Sequence, residues 1–207
     1  MGESSNPLFR GFKKKGVEET ERYDEPVFVR LNMKNKAELR DGFPKAEKDL
    51  FGFHAVILDD VEAAFFTHDQ MALLERFISE RGGGLLMHGS QESFRNGCYR
   101  RTTIDNILPV YLDRPAEQQP ETCYRLSLTR DGWLQPWVRL RGNQADESQR
   151  LDEKPGFRTL NRLGVVKPVA TIMAHDTDDA GQQLPALVVQ RFGRGRCALL
   201  TVGDMWR

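Results

Sequence analysis

Histidine 88, glycine 89 and serine 90 follow the apolar run Leu85 to Met87 without a break. A small residue, a hydroxyl and an imidazole at the end of a buried strand are the types from which a nucleophilic elbow is built. Read that way, Ser90 is the nucleophile and His88 or His175 the base. The plainer reading makes Ser90 a small residue demanded by a tight turn. It is favoured because the sequence places no third group and the full Gly-x-Ser-x-Gly pattern is absent. A register shifted by one puts Gln91 at the elbow, and an amide cannot serve as nucleophile.

Two further clusters carry reactive types. Asp59 and Asp60 end the run Ala55 to Leu58, at the strand edge where open α/β sheets receive ligands. With His88 and Gly89 at the end of the next strand they form a candidate site for a sugar or a metal. Aspartates at such a position also cap helices and bind solvent, and no metal is expected. Cys98 stands between Gly97 and Tyr99, close to Arg95, Arg100 and Arg101, where cationic neighbours favour the thiolate. Its plainer reading is a loop residue. The three cysteines have no metal-binding or disulfide spacing, and a reducing compartment suits them.

The elements around these residues read clearly in the middle of the chain. Ala55 to Leu58 is a continuous apolar run, expected as a strand buried on both faces. Thr67 is a candidate N-cap for a helix from His68 to about Glu80, with Met71, Leu74, Phe77 and Ile78 at helical spacing. Gly82-Gly83-Gly84 stops that helix and leads into Leu85 to Met87, completing a βαβ unit. Pro44 to Leu50 reads as a helical turn and Ile104 to Val110 as a short helix. Tyr124 to Leu128, Val165 to Met173 and Leu187 to Arg191 read as strands, and Asp131 to Pro155 as a long loop holding Trp133 and Trp137. These tryptophans are expected to cover a core edge. The turn Phe192 to Arg196 joins the last two strands as a hairpin. The three arginines of Arg191 to Arg196 are better explained by a solvated tip than by a phosphate cradle. Toward the N-terminus, residues 1–25 are a polar segment with a short helix expected over Asn6 to Lys15. Pro26 to Leu31 reads as a strand, and residues 26–207 as one domain.

The order of motifs from Gly42 to Leu112 resembles the glutamine amidotransferase-like domain of bacterial, often membrane-anchored proteins, within the class I glutamine amidotransferase-like superfamily. The matching pieces are His54 to Val61, Gly82 to Leu86, Ser93-Phe94, Gly97-Cys98-Tyr99 and Leu108-Pro109-Val110. The C-terminal stretch Pro185 to Arg207 is similar to the same family's closing motif. The resemblance implies an α/β fold, a three-layer flavodoxin-like sandwich with a mostly parallel central sheet, here with a C-terminal β-hairpin. The stretch "GGGLLMHGS" also resembles the trehalose-utilisation-like branch of the superfamily, linked to carbohydrate metabolism.

The catalytic parts that the resemblance would imply are missing. No cysteine stands at the elbow, Asp59-Asp60 replace the oxyanion glycines, and His175 lies in Ala-His-Asp rather than His-x-Glu. Glutaminase activity is not expected. The reading is a non-catalytic binding or assembly module of a larger bacterial protein. The alternative is a hydrolase or carbohydrate-related enzyme using Ser90, and no cofactor is expected. Related sequences begin with a buried strand that residues 1–25 lack, and they continue past Trp206-Arg207; a longer architecture is therefore expected, with other domains or proteins as partners.

Charge and hydropathy narrow the field further. Thirty basic residues balance thirty acidic ones among 207, so no global field draws nucleic acid. No apolar run approaches the roughly 20 residues of a membrane span, and the start has no signal-peptide pattern. A cytoplasmic chain, or a soluble domain of a membrane-anchored protein, is the expectation.

Overall fold

A computed structural model describes residues 39, 42–90, 93–113 and 123–203. The expected helix over Asn6 to Lys15, the strand over Pro26 to Leu31, Gln91 and the terminal Trp206-Arg207 lie outside them. The chain divides into two units, Met1–Pro44 and Lys45–Arg207, and every described helix and strand belongs to the second.

The elements follow one another as α1 (Glu47–Leu50), β1 (Ala55–Leu58), α2 (His68–Ser79), β2 (Gly84–His88), α3 (Thr103–Ile107), β3 (Arg125–Leu128), α4 (Arg130–Trp133), α5 (Gln144–Asp152), β4 (Thr171–Thr177), β5 (Gln183–Phe192) and β6 (Gly195–Leu200). A single 3-10 turn, Ala63–Phe65, lies between β1 and α2. Thr67 and Gln70 form a reciprocal capping box at the start of α2: the Thr67 hydroxyl accepts from the Gln70 N–H and the Gln70 amide oxygen from the Thr67 N–H. The helix ends before Gly82, whose φ of +87° only glycine adopts freely. Gly83 lies so close to Phe77 that a Cβ would enter its ring, which seats α2 on the sheet.

The six strands form one sheet in the order β1-β2-β6-β5-β4-β3. The expected mostly parallel sheet is instead mixed among the described residues. β1–β2 and β2–β6 are parallel, whereas β6–β5, β5–β4 and β4–β3 are antiparallel. The cause is loop length. A parallel neighbour needs a crossover of a dozen residues or more, which α2 supplies between β1 and β2. Residues 178–182 and the pair Gly193-Arg194 are too short for a crossover, so β4, β5 and β6 fold back on one another.

Period-two alternation assigns the faces. Leu58, Met87, Leu199 and Val188 are register neighbours across four strands, and all are buried. With Leu74, Phe77, Ile78, Ile104 and Ile107 they belong to the buried apolar core. The alternate row, Ile57, Leu86, Ala198 and Val189, is less covered, and Ile57 is 65% exposed. Burial of β1 on both faces is therefore not found. A continuous apolar run records only that both faces tolerate apolar side chains, not that both are packed.

Three other expectations change. The Asp131 to Pro155 stretch holds α4 and α5 rather than a loop. Helix α5 buries only Glu147, so it has no apolar stripe for a periodicity reading to find; Asn143 caps it by accepting from the Asp146 N–H. Trp137 is 57% exposed and covers no core, while Trp133 lies under the Arg139 guanidinium. The strand expected over Val165 to Met173 begins only at Thr171. The C-terminal hairpin is present, and Arg191, Arg194 and Arg196 are exposed at its tip, where the Arg194 N–H donates to the Ser79 carbonyl at 2.8 Å.

Candidate functional site

Strands β1, β2 and β6 run in the same direction and deliver their C-terminal ends to one edge of the sheet. Asp59 and Asp60 leave β1 there, with Asp60 held at a φ of +50°. His88 ends β2, and its Nδ1 lies 3.6 Å from an Asp59 carboxylate oxygen. Asp59 is largely exposed and His88 mostly covered, so this pair opens to solvent on the carboxylate side. Sequence adjacency to strand ends was sufficient to bring these two together.

Gly89 and Ser90 then turn inward. The Gly89 N–H donates to the Leu200 carbonyl at 2.6 Å. A Cβ on Gly89 would collide with the Thr201 carbonyl and the Asn161 side chain, so glycine is required by close approach. Asn161 reinforces the contact: its N–H donates to the Thr201 carbonyl, and its side-chain amide donates to the Ser90 carbonyl at 2.9 Å. Gly203 closes the arrangement from the far side, its Cα facing the Gly89 carbonyl and the Ser90 backbone.

Among the described residues the Ser90 turn is held by backbone and amide contacts. No hydrogen bond joins the Ser90 hydroxyl to an imidazole among the described residues. His175 lies on β4, three strand positions from β2, and its carbonyl accepts from the Ser127 hydroxyl. At about 4.8 Å per strand that separation is roughly 14 Å, beyond any base. Ser90 also lines neither of two clefts found elsewhere, one at His68, Met71, Arg101, Thr102, Thr103 and Asn106, the other between β3 and α5.

Cys98 is an exposed free thiol with a φ of +60°, in a loop where its own N–H donates to the Arg95 carbonyl at 3.1 Å. Gly97 accepts from the Ala63 N–H, and the buried Tyr99 hydroxyl donates to the Val61 carbonyl at 2.7 Å. Burial pushes the Tyr99 phenol up, with Glu62 adding to the shift. No bond or ion pair links Cys98 to His88 or Ser90 among the described residues. The candidates thus separate into a pair, Asp59 with His88; a packed turn, Gly89-Ser90; and an independent loop, Cys98.

Four residues that sequence reasoning passed over occupy the same end of the sheet. Asp176 lies two residues beyond Ala174, which the register aligns through Leu187 and Leu200 with His88. It is fully buried, and among the described residues neither carboxylate oxygen has a hydrogen-bond partner within ordinary geometry. Burial pushes its carboxyl up to about 7, and the Thr201 hydroxyl opposes the shift. That hydroxyl is itself directed at the Pro185 and Ala186 carbonyls, at 3.2 and 3.3 Å. Asp178, also buried, faces Arg162 at 3.7 Å. The register sets Asp176 opposite Leu126 and Leu184, where a carboxylate takes an apolar neighbour's place; local sequence carries no signal of that pairing. Among the described residues no group of three potential metal ligands forms, and no helix is long and apolar enough to cross a membrane.

No protein-family model matches the chain, and no curated protein matches it. Solved structures do. The cytoplasmic protein STM1381 of Salmonella typhimurium LT2 aligns with a TM-score of 0.60 at 21% identity, over 77% of this chain and 64% of its own. The cytoplasmic protein STM3548 of Salmonella typhimurium aligns with a TM-score of 0.60 at 20% identity, over 80% of this chain and 67% of its own. At these identities the likeness is one of fold. This chain spans about two thirds of the length of each.

Proposed function

We propose that this chain is a non-catalytic α/β module of the class I glutamine amidotransferase-like kind, serving binding or assembly within a larger protein. One observation carries the reading. The turn where an amidotransferase presents its nucleophile is here wedged against β6, with the Gly89 N–H bonded to Leu200 and no room for a Cβ beside Thr201. Acyl transfer needs an open nucleophile and free oxyanion donors at that point. The sequence supplies neither the thiol nor the glycines. The three-layer flavodoxin-like sandwich belongs to the same proposal, supported by the β1-α2-β2 crossover and the parallel β2–β6 pairing. So does a cytoplasmic location, supported by three free cysteines.

A second reading, hydrolysis of an ester or glycoside, is favoured by the His88–Asp59 pair, since an imidazole oriented by a carboxylate is a competent base. One experiment separates the two. The purified chain is assayed for ammonia release from glutamine and for nitrophenol release from nitrophenyl acetate and nitrophenyl glycosides, beside Ser90→Ala and His88→Ala. The expected result is background turnover for all three proteins on every substrate. Turnover by the unmodified chain that either substitution abolishes would overturn the non-catalytic reading.

A further inference from the structure

We propose that the cleft between the start of α2 and α3 binds a small phosphate monoester. Its volume is about 390 Å³, and it is lined by His68, Met71, Arg101, Thr102, Thr103 and Asn106. Neither Ser90 nor the His88–Asp59 pair contributes to that lining, so the site does not depend on what the Ser90 turn does.

Two helix faces make the walls. His68 and Met71 stand three residues apart on α2, and Thr103 and Asn106 three apart on α3, the spacing at which side chains share a face. The two helices pack against each other. A threonine starts each of them. Thr67 caps α2, and the Thr102 hydroxyl caps α3 by accepting from the Asp105 N–H while it donates to the Tyr99 carbonyl. Thr102 is therefore engaged by its own helix and serves as wall. The other polar groups of the lining are the His68 ring, the Arg101 guanidinium, the Thr103 hydroxyl and the Asn106 amide.

Charge selects the occupant. The lining holds an arginine and a histidine and includes no carboxylate. Asp105, the acidic residue of α3, is turned to the main chain: its Oδ2 accepts from the Arg101 N–H at 2.9 Å. Its charge also acts on the Lys167 ammonium, which donates to the Asp105 carbonyl at 3.0 Å. Arg101 thus gives the cleft a permanent positive charge, in a planar fork that matches two phosphate oxygens. The hydroxyl and amide on α3 and the imidazole on α2 are further donors on two different walls. Donors so arranged suit the three oxygens of a monoester better than the two coplanar oxygens of a carboxylate. Met71, only 7% exposed, adds an apolar surface, and the volume admits a phosphate with a ring or short chain attached.

The backbone points to the same place. Phe94, Cys98 and Arg101 have φ of +53°, +60° and +61°, three non-glycine residues in the left-handed region within the span 94–101. Such conformations are costly for residues with a Cβ and gather where a loop must hold a ligand. The last of them sets Arg101 into the cleft wall, directly before the Thr102 cap, and the Asp105 carboxylate fixes it there.

The test titrates phenyl phosphate, with benzoate for comparison, into the isotope-labelled full chain and follows the amide resonances. Saturable binding of phenyl phosphate is expected with a Kd below about 1 mM, and benzoate is expected to bind at least about tenfold more weakly. The largest shifts are expected around His68 and Thr103. Arg101→Gln is expected to weaken binding about tenfold, whereas Arg100→Gln, which removes the same charge from an exposed neighbour outside the lining, stays within about twofold. Asn106→Asp sets a carboxylate into the cleft from an exposed helix position and is expected to match the loss at Arg101; it decides the matter if Arg101→Gln does not fold. Failure to saturate by about 10 mM overturns the proposal. So does equal loss from Arg100→Gln and Arg101→Gln, indifference to Asn106→Asp, or benzoate binding as tightly as phenyl phosphate.

Discussion

The Thr201 carbonyl occupies the space a Cβ would need on Gly89, and the two strand exits touch through backbone alone. A turn that in a working elbow faces a substrate here faces its own sheet. The contact involves no unusual backbone angle, since Gly89 is not among the residues with positive φ. Its requirement for glycine is purely steric.

Gly89→Ala is accordingly expected to destabilise the fold by about 1–3 kcal/mol, as overpacking against rigid backbone does. Chemical denaturation of the variant beside the parent measures it. A loss below about 0.5 kcal/mol would show that the two exits separate readily.

Asp176 gives stability a pH dependence of definite sign. Its carboxyl is raised from 3.8 to about 7 in the fold. Between those values the unfolded chain has lost the proton and the folded chain keeps it, so stability falls as pH rises through that window and levels off above it. The whole effect is on the order of 4 kcal/mol. Asp176→Asn removes the titration: it is expected to flatten the profile between pH 4 and 7 and to exceed the parent at pH 8, on the order of 2–4 kcal/mol. Urea midpoints at several pH values decide this, and a variant less stable than the parent at pH 8 would contradict the burial argument.

Glu147 is the opposite case, a buried carboxylate with a full set of partners. It accepts from the Leu140 and Arg141 N–H groups and pairs with Arg150, whose guanidinium holds its carboxyl below the usual range against the effect of burial. Glu147→Ala removes the acceptor for four donors from three residues and is expected to cost about 3–5 kcal/mol. Amide exchange should accelerate first at Leu140 and Arg141. The folded-state pKa being depressed, this contribution is lost as pH falls below the ordinary carboxylate range.

Much of this architecture was legible in the chain itself. The α2 helix, its Thr67 cap, the glycine stop, strands β1 and β2 and the final hairpin all follow from spacing and turn chemistry, because each is decided within a dozen residues. The pairing of His88 with Asp59 was legible too, since parallel neighbours joined by one crossover bring their C-terminal ends together. What the sequence could not announce was anything decided by contacts distant along the chain. Helix α5 hid because its one buried side chain is charged, leaving no apolar period to read. The mixed sheet depended on which short links join which strands. Asp176 looked like one of several acidic residues near His175 until register buried it between Leu126 and Leu184. At Ser90 the division is plainest. Local sequence proposes a small hydroxyl residue on a turn after a strand; only the approach of Thr201 and Asn161, more than 70 residues away, shows that the turn's glycine is packed against backbone and its Ser90 carbonyl is held.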